Sequence, residues 1–511
     1  MTPRYSSIGG PAAVTTADGF STEAASSVLR KGGSAVDAMV AAAAVQCVVA
    51  NGSTTVAGMW ISGSYDPNTG LTTNVSSKIG PAKDETYDYD MTGAEAWGGR
   101  SMPVPGWVAG AYSAWTQGGR LRWSELFEHA IVLSDAYECN PSSYVRVRPG
   151  LALPLAARTA EGRAIWMPEG RYLEIGEAVR QPALARTFRA LAEGGPEAFY
   201  EGEFARDYVA TSQRLGGRLT MADMADWRGR ASVRSVALVG DYCGYQIAQV
   251  EPEGGLTVYA LHLAQAADIG SLDDAEAVYA QVRIMEEVFH ATSEYSPATY
   301  SQFIDRGFAE SRIREALSRP VRPVSFEQFW ANTEVLAVRD ADGGCAWLVH
   351  SINTSSIFGA GILAGGAYAV RVLSKSHAQT GNLLQPGLGA NAALFRDGKP
   401  CILAGSPGWG IMHATIGFII GLVQRNLDAN AAMRAPRFGL PGPMSAGFMP
   451  FESHYSPSVF KMLRDRAIPY FDCAPSLLTG RLFGIVAEGE SVHAVQDVRS
   501  EAAAAIAFAL Q

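Results

Sequence analysis

Asn332-Thr333-Glu-Val-Leu-Ala-Val-Arg-Asp340-Ala-Asp-Gly-Gly344-Cys-Ala-Trp-Leu-Val-His-Ser351-Ile-Asn353 is the stretch that decides the fold. Two apolar-rich runs flank an Asp/Gly cluster, which predicts a β-hairpin with Thr333 immediately before its first strand. A threonine at that place is unremarkable while the chain runs on through it, because a hydroxyl without a base is a poor nucleophile. Cutting the peptide bond before Thr333 changes this. The freed α-amine, with a reference pKa of roughly 7.7–8.0, can take the hydroxyl proton, and a threonine activated by its own amine is a nucleophile.

Outward from that hairpin, composition narrows the choices. The chain has 511 residues, 48% of them hydrophobic and 18% charged, as expected of a globular protein with a large core. Length alone suggests about three domains, yet compact α/β folds often run longer as one unit. The formal net charge of −9 leaves no basic stripe for nucleic acid. Six cysteines with no C-x-x-C pair signal neither a zinc site nor a disulfide framework, so no metal is expected and a reducing cytoplasm fits best. The start, Met1 to Pro11, lacks the apolar core of a signal peptide. The apolar tracts Ala38–Ala50 and Ile416–Val423 are shorter than the roughly 18 residues a membrane span requires, and are expected to be buried helices.

In chain order, Gly32-Gly33 breaks a helix that begins after Asp18-Gly19, and Ser34 is the predicted N-cap of the next. Met59–Tyr65 and Leu71–Val75 read as short strands joined by the turn Asp66-Pro-Asn-Thr-Gly70. Leu121–Ala130 reads as helical, with Ser124 and the residues around it placed to start a helix. A strand pair is expected around Asp397-Gly398, and Ser406-Pro-Gly-Trp-Gly410 leads into an apolar helix that carries His413. Other chemistries are poorly supported. Ala404-Gly-Ser-Pro-Gly408 is not a G-x-S-x-G elbow, and no H-E-x-x-H occurs. Gly387-Leu-Gly389-Ala-Asn-Ala392 lacks the acidic partner of a dinucleotide site, so no cofactor is expected.

The segment from Thr333 resembles the start of the small subunit of γ-glutamyltransferases, N-terminal-nucleophile (Ntn) hydrolases that cut themselves before a threonine. Gly32-Gly-Ser-Ala-Val-Asp-Ala38, residues 181–200, residues 216–224 and Met433-Arg-Ala-Pro-Arg-Phe438 are also similar to that family. The resemblance implies a four-layered αββα sandwich made as one precursor. Cleavage between Asn332 and Thr333 would leave a large subunit, 1–332, and a small one of 511 − 332 = 179 residues, 333–511, as one catalytic unit. It further implies Thr333 as nucleophile, Ser351 as the hydroxyl that supports it, and Asn353 as a substrate contact. The amides of Gly408 and Trp409 would form the oxyanion hole, with Trp409 standing where the family has a second glycine.

The departures cluster where a glutamyl group would be held. Ser77 stands at the place of the family's carboxylate-binding arginine, and Lys78 beside it cannot reproduce bidentate pairing. The two carboxylate-binding serines fall on Gly387 and Leu388, and the amine-holding aspartate on His377. Retained catalytic parts with an altered acyl pocket resemble the γ-glutamyltransferase homologues of 4-alkyl-L-proline pathways, which serve anthramycin-, tomaymycin- and lincomycin-type antibiotics. That resemblance implies a small-molecule substrate, cleavage of a carbon–carbon bond and release of an oxalyl unit. The alternatives are a γ-glutamyl transferase or hydrolase, an amidohydrolase of small acids on the same scaffold, and an uncleaved binding protein.

Overall fold

The structure is a computed structural model that describes residues 6–77, 79–85, 93–140, 144, 152–249, 254–322, 333–352, 357–372, 391–407, 411–441, 447–475, 479–488, 491–500 and 504–509. Two seven-stranded sheets lie at its centre. In chain order their strands are β1 (Ser6–Gly9), β2 (Ala12–Thr16), β3 (Met59–Tyr65), β4 (Thr72–Ser77), β5 (Ala231–Ser235), β6 (Ala237–Tyr242) and β7 (Tyr245–Gln249). Then come β8 (Thr333–Arg339), β9 (Cys345–Ser351), β10 (Asn391–Arg396), β11 (Lys399–Gly405), β12 (Phe483–Glu488), β13 (Ser491–Gln496) and β14 (Ala504–Phe508). The first sheet runs β14-β2-β8-β9-β3-β4-β5 and the second β1-β13-β12-β11-β10-β7-β6.

Side-chain alternation turns these sheets into layers. Successive residues of a strand point to opposite faces. In β8, Val335 and Ala337 enter a core shared with Phe395, Leu403 and Ile485 of the second sheet, while Leu336 and Val338 enter a separate core. That separate core packs against α1 (Gly19–Arg30), α2 (Ala35–Val49) and α3 (Trp107–Gly118). On the far side, Leu394, Ile402 and Val486 join α4 (Gly255–Ala266), α5 (Asp274–Ala291), α6 (Arg306–Ser318) and α7 (Ile411–Val423) in a third core. Helix, sheet, sheet, helix is therefore the layer order, and β8 and β9 are apolar on both faces because both faces are covered.

The central hairpin pairs Thr333 with Ser351 and Arg339 with Cys345. Asp340 shapes its turn, accepting from Gly344 N at 2.7 Å and Asp342 N at 3.1 Å through Oδ1. Its other oxygen accepts from Ala35 N at 3.1 Å, which ties the turn to the first residue of α2. Every residue of α2 is buried, as an all-apolar helix requires. Ser34 caps it as expected: its Oγ accepts from Asp37 N at 3.1 Å and Asp37 Oδ2 accepts from Ser34 N at 2.9 Å.

The helical start expected around Ser124 is a 3₁₀ turn over Trp123–Phe127, and the α-helix follows over Glu128–Asp135. Glu125 Oε2 accepts from Arg122 N at 3.1 Å, so the cap lies two residues earlier than Ser124. Trp123 and Leu126 are buried at the i, i+3 spacing that a 3₁₀ turn aligns.

Candidate active site

Thr333 is the first paired residue of β8, directly opposite the last residue of β9, Ser351. Both are buried, and their hydroxyl oxygens lie 3.1 Å apart. Alternation sets both hydroxyls on the face that Val335 and Val349 turn towards the second sheet, at the end of the inter-sheet core. Behind Ser351 the backbone is crowded. A Cβ on Gly58 would sit 2.2 Å from the Ser351 carbonyl oxygen, so only glycine fits there. The same Gly58 carbonyl accepts from Gly106 N and Trp107 N, each at 2.9 Å, which starts α3 against the end of the hairpin.

On the opposite face a neutral histidine fixes the strand that carries Ser351. His350 is fully buried between Trp107, Gln46 and Thr54. Trp107 Nε1–H donates to His350 Nδ1 at 3.0 Å, so that nitrogen is an acceptor. Nε2–H then donates to Gln46 Oε1 at 2.7 Å, and the Thr54 hydroxyl lies 2.9 Å from Nδ1. Protonating Nδ1 would set an N–H against the indole N–H. Burial pushes the imidazole pKa down to about 3. Cross-strand from His350 is Glu334, also fully buried, with Arg481 Nη2 3.7 Å from its Oε1.

Of the residues read from the sequence, the structure brings Thr333 and Ser351 together. Ser77 ends β4 opposite Trp60, in the row that continues to His350 and Glu334. It therefore shares the helix-facing side of the sheet with Trp60 and Val75, not the side of Thr333, and its buried hydroxyl has no partner among the described residues. Asn332, Asn353, Lys78, His377, Gly387, Leu388, Gly408 and Trp409 lie outside the described residues. His413 is buried and stacks on Phe438 at 5.8 Å between ring centroids. No cluster of three or more metal-ligating side chains occurs among the described residues, and no described helix is long and apolar enough to cross a membrane.

Sequence reasoning passed over His350, Gln46, Trp107 and Thr54. The one available signal was a histidine inside an otherwise apolar strand, one residue before Ser351. Its partners are 243 to 304 residues away in sequence, so only the tertiary fold reveals them.

A strand that opens on a hydroxyl, faces a second hydroxyl and lies at the end of a two-sheet sandwich can carry a terminal nucleophile. The Gamma-glutamyltranspeptidase family profile matches residues 21–371. The chain belongs to the gamma-glutamyltranspeptidase family. Glutathione hydrolase 3 of Arabidopsis thaliana is 28% identical over 383 residues, which span 69% of this chain and 57% of that protein. The match thus covers less than two thirds of that plant relative. The glutathione hydrolase proenzyme of Escherichia coli strain K12 is 25% identical over 505 residues, 88% of this chain and 84% of its own. Among solved structures, the cephalosporin acylase of Bacillus halodurans has a TM-score of 0.78 at 20% identity, covering 100% of this chain and 98% of that one. LmbA2991HD has a TM-score of 0.80 at 19% identity, covering 99% and 100%. At such identities the two structures show a shared fold, and the layered αββα sandwich expected from the sequence is that fold.

Proposed function

We propose that this gamma-glutamyltranspeptidase family member is a self-processing hydrolase whose nucleophile is Thr333, released by cleavage between Asn332 and Thr333. The observation that carries the reading is the pair of buried hydroxyls of Thr333 and Ser351, 3.1 Å apart at the end of the central hairpin. The name proenzyme given to the Escherichia coli relative supports a cleaved product. In the reaction, Thr333 Oγ1 attacks a carbonyl carbon while the Thr333 α-amine accepts the hydroxyl proton. Ser351 Oγ holds Oγ1 in place, and backbone donors at Gly408 and Trp409 would take the developing oxyanion. The leaving group recovers the proton from the ammonium, and water then hydrolyses the acyl-threonine ester.

For the substrate, we favour a small intermediate of 4-alkyl-L-proline biosynthesis from which a carbon–carbon bond is hydrolysed to release an oxalyl unit. The support is the sequence at the positions matched to the acyl pocket: no serine pair stands at 387 and 388, and Ser77, matched to the arginine, turns a short side chain to the helix-facing side of the sheet. A buried substrate carboxylate left without its bidentate partner costs several kcal/mol, so a γ-glutamyl group is disfavoured. A leaving carbanion must be stabilised by conjugation within the substrate for the same nucleophile to suffice. The relatives named as glutathione hydrolases favour the runner-up, γ-glutamyl hydrolysis. Six cysteines, none joined to another in a disulfide, suit a reducing cytoplasm.

Intact-mass analysis of the purified wild type beside Thr333→Ala tests the nucleophile. Two fragments breaking between Asn332 and Thr333 in the wild type alone are expected. One uncut chain in both would leave a binding protein instead. With processing shown, parallel assays of an oxalyl-bearing conjugated acid and γ-glutamyl-p-nitroanilide separate the substrates. Efficient glutamate release would sink the carbon–carbon reading.

A further inference from the structure

A cavity of about 420 Å³ lies in the outer helical layer, bounded by α5, α7 and the segment around Phe438. Val278, Phe438 and Val459 give it apolar walls, and Gln281 and His413 stand among them. His413 is 6% exposed, and neither ring nitrogen has a side-chain hydrogen-bond partner among the described residues. The backbone carbonyl of Thr479 lies beside the ring and draws the ring N–H to that side. The other nitrogen keeps a lone pair that faces no donor among the described residues. A buried polar atom without a partner is costly, so this one calls for a ligand.

The charge around the cavity sets the ligand's character. Arg425 is paired with Asp274 at 2.5 Å, and Arg437 is paired with Asp497, so neither cation is spare for an anion. Burial and the nearby Arg437 push the His413 pKa down to about 3, which keeps the imidazole neutral. Phe438 already stacks on His413 with 21° between the rings, and a third flat ring extends that stack. Mostly apolar pockets of this size with one or two polar anchors are the usual small-molecule sites.

We propose that this cavity binds a small, neutral aromatic molecule that donates one N–H or O–H to His413, at a site distinct from the Thr333–Ser351 pair. His413 follows Gly410 by three residues in sequence and lies on the first turn of α7.

Gly417 provides the test. A Cβ there would meet only Gln281 Oε1, at 3.5 Å, so Gly417→Leu projects into the cavity from a helix that tolerates it. Calorimetric titration of the full chain with indole, and with 1-methylindole, which lacks the N–H, reads the site whether or not the chain is processed. Indole is expected to bind once per chain, and 1-methylindole about fivefold more weakly or worse, as loss of one hydrogen bond implies. Gly417→Leu should abolish both, and His413→Phe should remove the preference between them. Thermal denaturation of each variant checks folding. Indole that fails to saturate the wild type, binding that survives Gly417→Leu, or a preference that survives in folded His413→Phe overturns the proposal.

Discussion

At the scale of single residues, the Ser351 hydroxyl and the neighbouring His350 make separable demands. Ser351→Ala removes the group 3.1 Å from the Thr333 hydroxyl, the proposed nucleophile, without opening a large cavity. A hydrogen bond of this kind contributes about 1 kcal/mol, so self-cleavage followed by intact mass should slow about five- to tenfold while the urea midpoint stays near that of the wild type. His350→Leu acts differently. It leaves the Trp107 indole N–H and the Gln46 carbonyl oxygen unpaired in the core, at about 1–3 kcal/mol for each group. A lower urea midpoint at unchanged m-value is expected. His350 also makes the fold sensitive to acid. Its folded pKa of about 3 lies below the ordinary 6.5, so between these values the unfolded chain binds the extra proton and stability falls as pH falls. His413, also held at about 3, adds to the same window. Urea denaturation at pH 7.5 and pH 5 should show a loss of about 2 kcal/mol for each histidine, and His350→Gln should flatten part of that slope.

Elements are positioned by contacts that a sequence pattern does not display. The end of β9 rests on Gly58, where any side chain would meet the Ser351 carbonyl at 2.2 Å. Gly58→Ala is therefore expected to displace Ser351 and slow processing more than Ser351→Ala does, with a lower melting temperature besides. At the other end of the hairpin, Asp340 serves two elements at once, the turn through Gly344 N and helix α2 through Ala35 N. Asp340→Ala leaves those donors buried near the strand turn, and a stability loss of about 2–4 kcal/mol should appear in urea denaturation. Asp340→Asn keeps the acceptor oxygen for one of the two and should lose less.

Over the whole molecule, both sheets draw strands from both sides of residue 332. In the first sheet β8 pairs with β2, and β9 with β3; in the second, β10 pairs with β7 and β13 with β1. Cutting the chain before Thr333 cannot separate the pieces without breaking both sheets. The two fragments should elute as one species in gel filtration and part only in denaturant. A second whole-molecule feature is a buried ionic network within 433–499. Arg499 reaches both Glu452 oxygens at 2.5 Å and Asp497 at 3.0 Å, and Thr479 Oγ1 donates to Glu452 at 2.6 Å. Removing one charge from such a set costs about 3–5 kcal/mol. Glu452→Ala is thus expected to lower the yield of folded chain more than any substitution at the hydroxyl pair.

The sequence by itself determined the local features, because each rests on neighbours in the chain. The Asp/Gly turn and its flanking apolar runs specify the hairpin, Ser34 and Asp37 specify the start of α2, and unbroken apolar character specifies its burial. Resemblance to a family added the sandwich and the choice of Thr333 with Ser351, since periodicity alone cannot show that a peptide bond is cut. The 3₁₀ turn at Trp123 escaped local reading because helix-forming residues suit either geometry and the buried Trp123 and Leu126 decide between them. Tertiary structure alone decided that Ser77 faces the helices, that His350 is held neutral by Trp107 and Gln46, and that Gly58 admits Ser351. Those depend on strand register and on contacts between residues tens to hundreds of positions apart, where close packing, not local preference, selects the side chain.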